Sequence, residues 1–146
     1  MTPGAAGWIQ TFLEAQAAEL DAAQNTLLAY ARDLKDFAAW LKGRDLATAG
    51  REDIEAYLVH CDAQGLARAT RARRLSAIRQ LYRFAYEEGW RTDNPALQIK
   101  GPGKARRLPK TLSHDEVDRL LEAATRGREA LRNSCLMQLL YATGMR

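Results

Sequence analysis

Arginines and a few polar side chains that could contact nucleic acid crowd the segment TRARRLSAIRQLYRFAYEE, residues 70–88. Arginine offers a planar fork of donors to phosphates and guanine edges, and glutamine can make a paired contact with adenine. If the segment is a helix, steps of 100° per residue place five of these side chains within an arc of roughly 120°. They are Arg73, Ser76, Arg79, Gln80 and Arg83. The only acid on this face is Glu87, in the last turn, so the face favours contact with a DNA groove or phosphate backbone.

The charge of the chain is divided unevenly along its length. Residues 1–63 carry five Lys or Arg and ten Asp or Glu, whereas residues 64–110 carry twelve basic and three acidic residues, a net of +9. A basic block beside an acidic one is typical of proteins that bind polyanions, of which nucleic acid is the commonest. A solvated surface, or a basic face that docks an acidic protein, explains the same charges, so charge alone leaves these interpretations open.

The segment after Gly89 reads WRTDNPALQIKGPGKARRLPK, and its Pro and Gly residues break regular structure repeatedly. Five of its last eleven residues are basic, which predicts a linker over 91–110 that lies against the same polyanion. The candidate DNA-binding residues of the helix and the linker are Thr70, Arg71, Arg73, Arg74, Ser76, Arg79, Gln80, Arg83, Lys104, Arg106, Arg107 and Lys110.

The elements that position these side chains are predicted to be helices. Apolar residues at i, i+3 and i+4 predict a first helix over about 8–20, a second ending near residue 41, a third over about 51–64 and a fourth over about 70–88. The fourth is expected to gather Leu75, Ile78, Leu81, Tyr82, Ala85 and Tyr86 on its apolar side. Asn25 or Thr26 is the expected cap of the second helix, and Gly65 is expected to close the third.

Two further helices are predicted beyond the linker. Ser113 and Glu116 form an S-x-x-E capping box that opens one of them, and the other spans about 129–142 and ends at Gly144. Two helices of this kind cannot enclose a core. We therefore expect them to begin a larger domain and to leave an apolar surface around Leu136, Leu139 and Leu140.

Several kinds of protein are disfavoured by the composition. Cys61 and Cys135 fall on apolar helix faces, which predicts two buried thiols in a reducing cytoplasm. His60 and His114 stand alone, so no metal site is predicted. The sequence lacks the roughly 20 uncharged apolar residues of a membrane span, and its N-terminus lacks the features of a signal peptide. We expect a cytoplasmic protein without membrane contact.

Four stretches, in this order and at these separations, carry a family resemblance. They are NTLLAYARDLKDFAAWL, TRARRLSAIRQLYRFAYEEG followed by NPA, LPKTLSHDEVDRLL, and LLYATGMR. Together they cover nearly everything from Trp8 to Arg146, and the chain resembles the N-terminal half of a tyrosine recombinase of the Xer type. The sequence YATGMR at the end of the last stretch favours the XerD branch of that family.

The resemblance implies an all-α chain with three parts. Residues 5–90 would form a four-helix, SAM-like core-binding domain, residues 91–110 a basic linker, and residues 111–146 the first helices of a truncated catalytic domain. Recombinases of this family clamp double-stranded DNA and cut it through a 3′-phosphotyrosyl intermediate without a cofactor. Two related recombinases form a tetramer on DNA, and the expected role is the resolution of chromosome dimers at cell division.

The family's first catalytic arginine follows TG and one apolar residue, a position that carries over to Arg146. The other catalytic residues, including the nucleophilic tyrosine, lie beyond this position in the family, so we expect this chain alone to be inactive. Two alternatives stay open. Phage and transposon integrases share the architecture, and a helical module with a basic face could instead bind a protein.

Overall fold

A computed structural model describes residues 4–19, 23–103 and 110–145 of the chain. Within these ranges there are helices and no strands, which confirms the all-α prediction. The chain divides into two compact units, Met1–Ala105 and Arg106–Arg146. The helices are α1 (Ala5–Glu19), α2 (Gln24–Trp40), α3 (Arg51–Ala63), α4 (Arg68–Glu87), α5 (His114–Ala124) and α6 (Ala130–Thr143).

The apolar stripes of α1 to α4 meet in the core of the first unit. Helix α1 packs on α2 and α4, and α4 also packs on α2 and α3. Burying one large apolar side chain contributes about 1.5–3 kcal/mol, so this cluster is the main source of stability. Its largest fully buried side chains are Trp8, Phe12, Leu34, Phe37, Leu46, Ile54, Tyr57, Cys61, Leu75, Ile78, Leu81 and Tyr82.

An aromatic chain joins α1 to the residues that follow α4. The rings of Trp8 and Trp90 lie 5.1 Å apart, and Phe84 meets Trp90 edge-on at 5.3 Å. Phe12 in turn contacts Phe84 with a centroid distance of 5.7 Å. Tilted and edge-on contacts of this kind add to the free energy of burial. The chain beyond α4 is therefore held on the bundle at Trp90.

Arg91 fastens the segment after α4 to the connection between α2 and α3. Its Nη1 donates to the carbonyl oxygens of Leu46, Ala47 and Ala49 at 3.1, 2.6 and 3.0 Å. Its Nε and Nη2 donate to the two carboxylate oxygens of Asp93 at 2.8 and 2.9 Å. This contact holds the pKa of Asp93 below its usual range. Arg91 thus serves the fold of the first unit.

Part of the segment predicted as a linker also packs on the bundle. Pro95, Ala96 and Ile99 are buried, and Gly101 lies so close to Leu75 that an added Cβ would come within 3.2 Å of its side chain. The Pro and Gly residues end the helix there, but they do not prevent burial of the apolar residues between them.

Three local expectations were wrong. Asn25 and Thr26 do not cap α2, because Ala23 occupies the N-cap and its carbonyl oxygen accepts from the amides of Thr26 and Leu27 at 2.8 and 3.2 Å. Tyr86 is exposed, since it lies at the edge of the apolar side of α4. Cys135 is exposed as well, whereas Cys61 is buried as expected.

The second unit is a pair of packed helices. The predicted capping box opens α5: the amide of Glu116 donates to Ser113 Oγ at 3.3 Å, and the amide of Ser113 donates to Glu116 Oε2 at 2.8 Å. Gly144 ends α6 in the left-handed region with φ 62°. Within the described residues of α5 and α6 no side chain is fully buried, and Leu136 and Leu139 are exposed as predicted.

We expect Arg91→Ala to lower the free energy of unfolding of the first unit by roughly 2–4 kcal/mol, because three carbonyl oxygens lose a charged donor. The matched control is Arg44→Ala, which removes a more exposed arginine paired with Asp53 at 2.5 Å and should cost about 1 kcal/mol or less. Urea unfolding followed by tryptophan fluorescence reports this unit, since Trp8, Trp40 and Trp90 all belong to it. Equal losses from the two variants would contradict the anchoring role of Arg91.

Candidate nucleic-acid interface

Helix α4 positions most of the predicted DNA-binding residues. Its inner side is buried through Leu75, Ile78, Leu81, Tyr82 and Ala85, and this burial fixes the rotation of the helix about its axis. Tyr82 adds a hydrogen bond from its hydroxyl to the carbonyl oxygen of Leu46 at 3.0 Å. Side chains on the opposite side are therefore directed away from the core.

The first half of α4 pairs its arginines with acids of α2 and α3. Nη1 of Arg71 lies 2.6 Å from Oδ1 of Asp62, and Nη1 of Arg74 lies 2.5 Å from Oδ2 of Asp36. Arg73 makes a two-point contact with Asp33, in which Nε donates to Oδ2 at 2.8 Å and Nη2 donates to Oδ1 at 3.0 Å. The hydrogen bonds to this carboxylate raise the pKa of Arg73 above its usual value.

Arg74 is enclosed by partners. Its Nη1 donates to the hydroxyl oxygen of Tyr57 at 2.8 Å as well as to Asp36, and it reaches Cys61 Sγ at 3.5 Å. The Tyr57 hydroxyl donates to Asp36 at 2.7 Å. Burial, together with this hydrogen bond, raises the pKa of Tyr57. The side chain of Arg74 is only 16% exposed, and its Nη1 makes all three of these contacts within the first unit.

The second half of α4 presents an outward polar surface. Arg79, Gln80 and Arg83 line a cavity of about 180 Å³ together with Asn94 and Leu97. Arg79 donates from Nη2 to the carbonyl oxygen of Ile99, which ties its guanidinium to the segment after α4. We call Arg79, Gln80, Arg83, Asn94 and Leu97 the α4 groove. It combines arginine forks with two side-chain amides, the donors that contact phosphates and base edges.

Arg83 is more exposed than Arg71, Arg73 and Arg74 in the first half of α4. Its side chain is 67% exposed, and its Nε lies 2.8 Å from Glu87 one turn later. The hydrogen bond to Glu87 raises the pKa of Arg83. An exposed pair at i, i+4 contributes little to stability, so a phosphate could replace Glu87 as the partner of Arg83.

The other predicted DNA-binding residues lie in different settings. Thr70 and Ser76 are half-buried, with Ser76 Oγ 3.4 Å from the Tyr30 hydroxyl. Lys110 is exposed, in the second unit. Lys104, Arg106 and Arg107 of the linker and the predicted catalytic residue Arg146 lie outside the described residues.

Sequence reasoning missed Asn94 as a member of the α4 groove. Its side-chain oxygen accepts a hydrogen bond from the amide of Ala96 at 3.1 Å, which fixes the turn that brings the side chain beside α4. The Asn-Pro pair signals such a turn, but the neighbours of the turn depend on the tertiary fold. Arg68 and Lys100 are exposed basic residues of the same unit, and both belong to the basic block of residues 64–110.

The described part of the chain offers neither a metal site nor a membrane-spanning helix. No group of three or more His, Cys, Asp or Glu there could hold a metal ion. Of the helices in the described ranges, none has the length and apolar character needed to cross a membrane.

The sequence is similar to bacterial tyrosine recombinases. It is 48% identical over 143 residues to the tyrosine recombinase XerD of Caulobacter vibrioides, covering 95% of this chain and 47% of that protein. It is 45% identical over 156 residues to XerD of Rhizobium meliloti, covering 100% of this chain and 50% of that protein. The chain therefore spans about half the length of these curated relatives.

Solved structures share the fold. A lambda integrase dimer bound to a COC′ core site superposes with a TM-score of 0.75 and 23% identity, over 99% of this chain and 40% of the integrase. A lambda integrase tetramer bound to a Holliday junction gives a TM-score of 0.67 at 23% identity, over 84% of this chain and 34% of the integrase.

The family of the chain follows from a match that covers most of the first unit. The family described as "Phage integrase, N-terminal SAM-like domain" matches residues 9–89, the span from the first buried turn of α1 to the end of α4. The chain therefore belongs to the phage integrase family through this SAM-like domain, and its relatives are XerD-type tyrosine recombinases.

Proposed function

We propose that this chain binds double-stranded DNA through the outward side of α4 and is the DNA-binding part of a site-specific tyrosine recombinase. The observation that carries the proposal is the α4 groove, where Arg79, Gln80 and Arg83 line one cavity with Asn94. Positive charge attracts the phosphate backbone, and the amides of Gln80 and Asn94 add donors and acceptors that can distinguish bases.

The contacts and exposure of the arginines support the α4 groove, over the rest of the basic block, as the DNA-binding surface. Arg74 is largely buried, and both Arg74 and Arg91 hydrogen-bond to partners within the first unit. Arg79 and Arg83 remain exposed, as does Lys100. The relatives at 45–48% identity are tyrosine recombinases, and the lambda integrase structures of the same fold hold a core site or a Holliday junction. We infer that this chain also binds DNA.

The proposal extends to the chemistry of the parent enzyme. A tyrosine would attack a phosphodiester, leave a 3′-phosphotyrosyl link and a free 5′-hydroxyl, and need no cofactor. Negative charge develops on the non-bridging oxygens, and Arg146 would stabilise it with its fork of donors. We place this reaction in the bacterial cytoplasm, in a tetramer with a second recombinase, during resolution of chromosome dimers. An integrase of a phage or transposon would use the same chemistry on a different target sequence.

A protein-interaction role is the competing function, and one observation favours it. Leu131, Leu136, Leu139 and Tyr141 of α6 are exposed, an arrangement that could serve a protein partner. Tight binding to a protein, with no affinity for duplex DNA at low salt, would put this role first.

We expect Arg83→Gln to weaken binding to a labelled duplex about threefold to tenfold and to lower the slope of log affinity against log salt by about 0.9, because one phosphate contact is lost. The matched control is Arg51→Gln, since Arg51 also pairs with a glutamate at i, i+4 at 2.8 Å and is 53% exposed. Fluorescence anisotropy at several salt concentrations measures both. Equal effects from the two variants would mean that net charge, and not the α4 groove, governs binding.

We expect Gln80→Ala to act differently, because glutamine carries no charge. It should reduce the preference for a Xer-type half-site over a scrambled duplex by roughly fivefold or more, and leave the salt slope unchanged. Gln10→Ala on α1 is the control, since the exposed Gln10 contacts only Glu14 among the described residues, at 2.6 Å. Competition between the two duplexes gives the ratio directly. An unchanged ratio would remove Gln80 from base recognition.

We expect this chain to form no covalent adduct with a nicked half-site duplex, as measured by SDS gel. Tyr57 and Tyr82 are buried and hydrogen-bonded, and burial raises the pKa of both hydroxyls, which disfavours the nucleophilic phenolate. Tyr30, Tyr86 and Tyr141 lie within helices, outside the sequence context of the family's nucleophile. An adduct lost in a Tyr86→Phe or Tyr141→Phe variant would contradict this prediction and identify a nucleophile within the chain.

A further inference from the structure

We propose that Asp33 is a positioning residue for DNA binding: its carboxylate holds the guanidinium of Arg73 so that the opposite edge can meet a phosphate. The inference rests on the proposed function, because it concerns how one arginine on the outward side of α4 is oriented. It adds a residue of α2, a helix from the acidic part of the sequence, to the determinants of DNA binding.

The two side chains differ sharply in their contact with water. Asp33 is 2% exposed, whereas the side chain of Arg73 is 45% exposed. Arg73 gives Nε and one hydrogen of Nη2 to the carboxylate. Its Nη1 makes no hydrogen bond within the described residues. One edge of the guanidinium is thus anchored on a buried acid, while the rest of the side chain reaches the surface.

The neighbouring arginines do not combine a buried acidic partner with an exposed edge of the guanidinium. Arg74 is 16% exposed and shares its Nη1 among several partners. In the pair of Arg71 and Asp62 the arrangement is reversed, because the acid is the exposed member. Of the three arginines at 71, 73 and 74, Arg73 is therefore the one with both a buried anchor and an open edge.

Stability alone explains the pair poorly. The pair takes Asp33 almost entirely out of water, and this desolvation offsets much of its attraction to Arg73, so the net contribution of such a pair to folding is often near zero. Fixing the fork in advance has a clearer benefit for binding, because an arginine that is already ordered loses less conformational entropy when it contacts a phosphate. The geometry favours orientation of Arg73 as the role of Asp33.

The direction in which Asp33→Asn changes the affinity for DNA tests the positioning role of Asp33. Asp33→Asn removes a negative charge and raises the net charge from +4 to +5, so charge alone would tighten DNA binding. Positioning requires the opposite: binding should weaken about threefold to tenfold, with the salt slope retained because Arg73 keeps its charge. Asp62→Asn is the matched control, with the same change in charge, and should tighten binding or leave it unchanged.

A double-substitution cycle shows whether Asp33 acts through Arg73. Arg73→Ala should weaken binding and lower the salt slope by about 0.9. In that background, Asp33→Asn should weaken binding no further. Far-UV circular dichroism and thermal melting establish that each variant is folded at the temperature of the titration. If Asp33→Asn does not fold, Arg73→Lys replaces it, because lysine keeps the charge but cannot make the two-point contact, and the same loss at an unchanged slope is expected.

Three results would overturn the inference. The first is tighter or unchanged binding by Asp33→Asn, as in the control; the second is a loss that persists in the Arg73→Ala background. The third is unchanged affinity in Arg73→Lys. Failure of the proposed function looks different, since the unsubstituted chain would then show no salt-dependent binding to any duplex, and that result would overturn both proposals.

Discussion

A carboxylate buried between α2 and α4 organises the polar half of the first unit. Asp33 contacts Arg73 at two points and lies 3.9 Å from Nε of Arg74, and Arg74 continues the network to Asp36 and Tyr57. A buried acid without such partners would be strongly destabilising, so α4 must present consecutive arginines to α2 at this level. The apolar side of α4 is turned into the core by the same placement, and the outward direction of Arg79 and Arg83 follows from it.

The network also accounts for part of the uneven distribution of charge along the sequence. The acidic first part of the sequence and the basic block that follows are partners in the folded unit, where Asp33, Asp36 and Asp62 meet arginines of α4. Part of the excess positive charge therefore faces acids within the bundle. The other basic residues include Arg79 and Arg83 farther along α4, where the exposed pair of Arg83 with Glu87 contributes little to stability.

The segment after α4 does more than connect two units. Trp90 packs on Trp8, Arg91 holds three carbonyl oxygens of the connection between α2 and α3, and Asn94 enters the α4 groove. A bundle of four short helices has little interior, and an additional aromatic ring and a buried Ile99 enlarge it. The same packing sets the position of the side chains that border Arg79 and Gln80.

The sequence by itself determined the helices, the family and the basic character of α4. Helical periodicity and a capping box such as Ser113 with Glu116 are local signals, and residues three or four apart must share a face whatever the rest of the chain does. The tertiary structure decided which partner each arginine has. Arg73, Arg74 and Arg79 look alike in sequence, yet a buried carboxylate, a tyrosine hydroxyl and a backbone carbonyl receive them. Each partner lies 17 to 40 residues from its arginine in the chain, so only the tertiary fold brings them together. Cys135 shows the same limit: its periodicity predicts an apolar face, but burial requires a neighbouring element to cover that face.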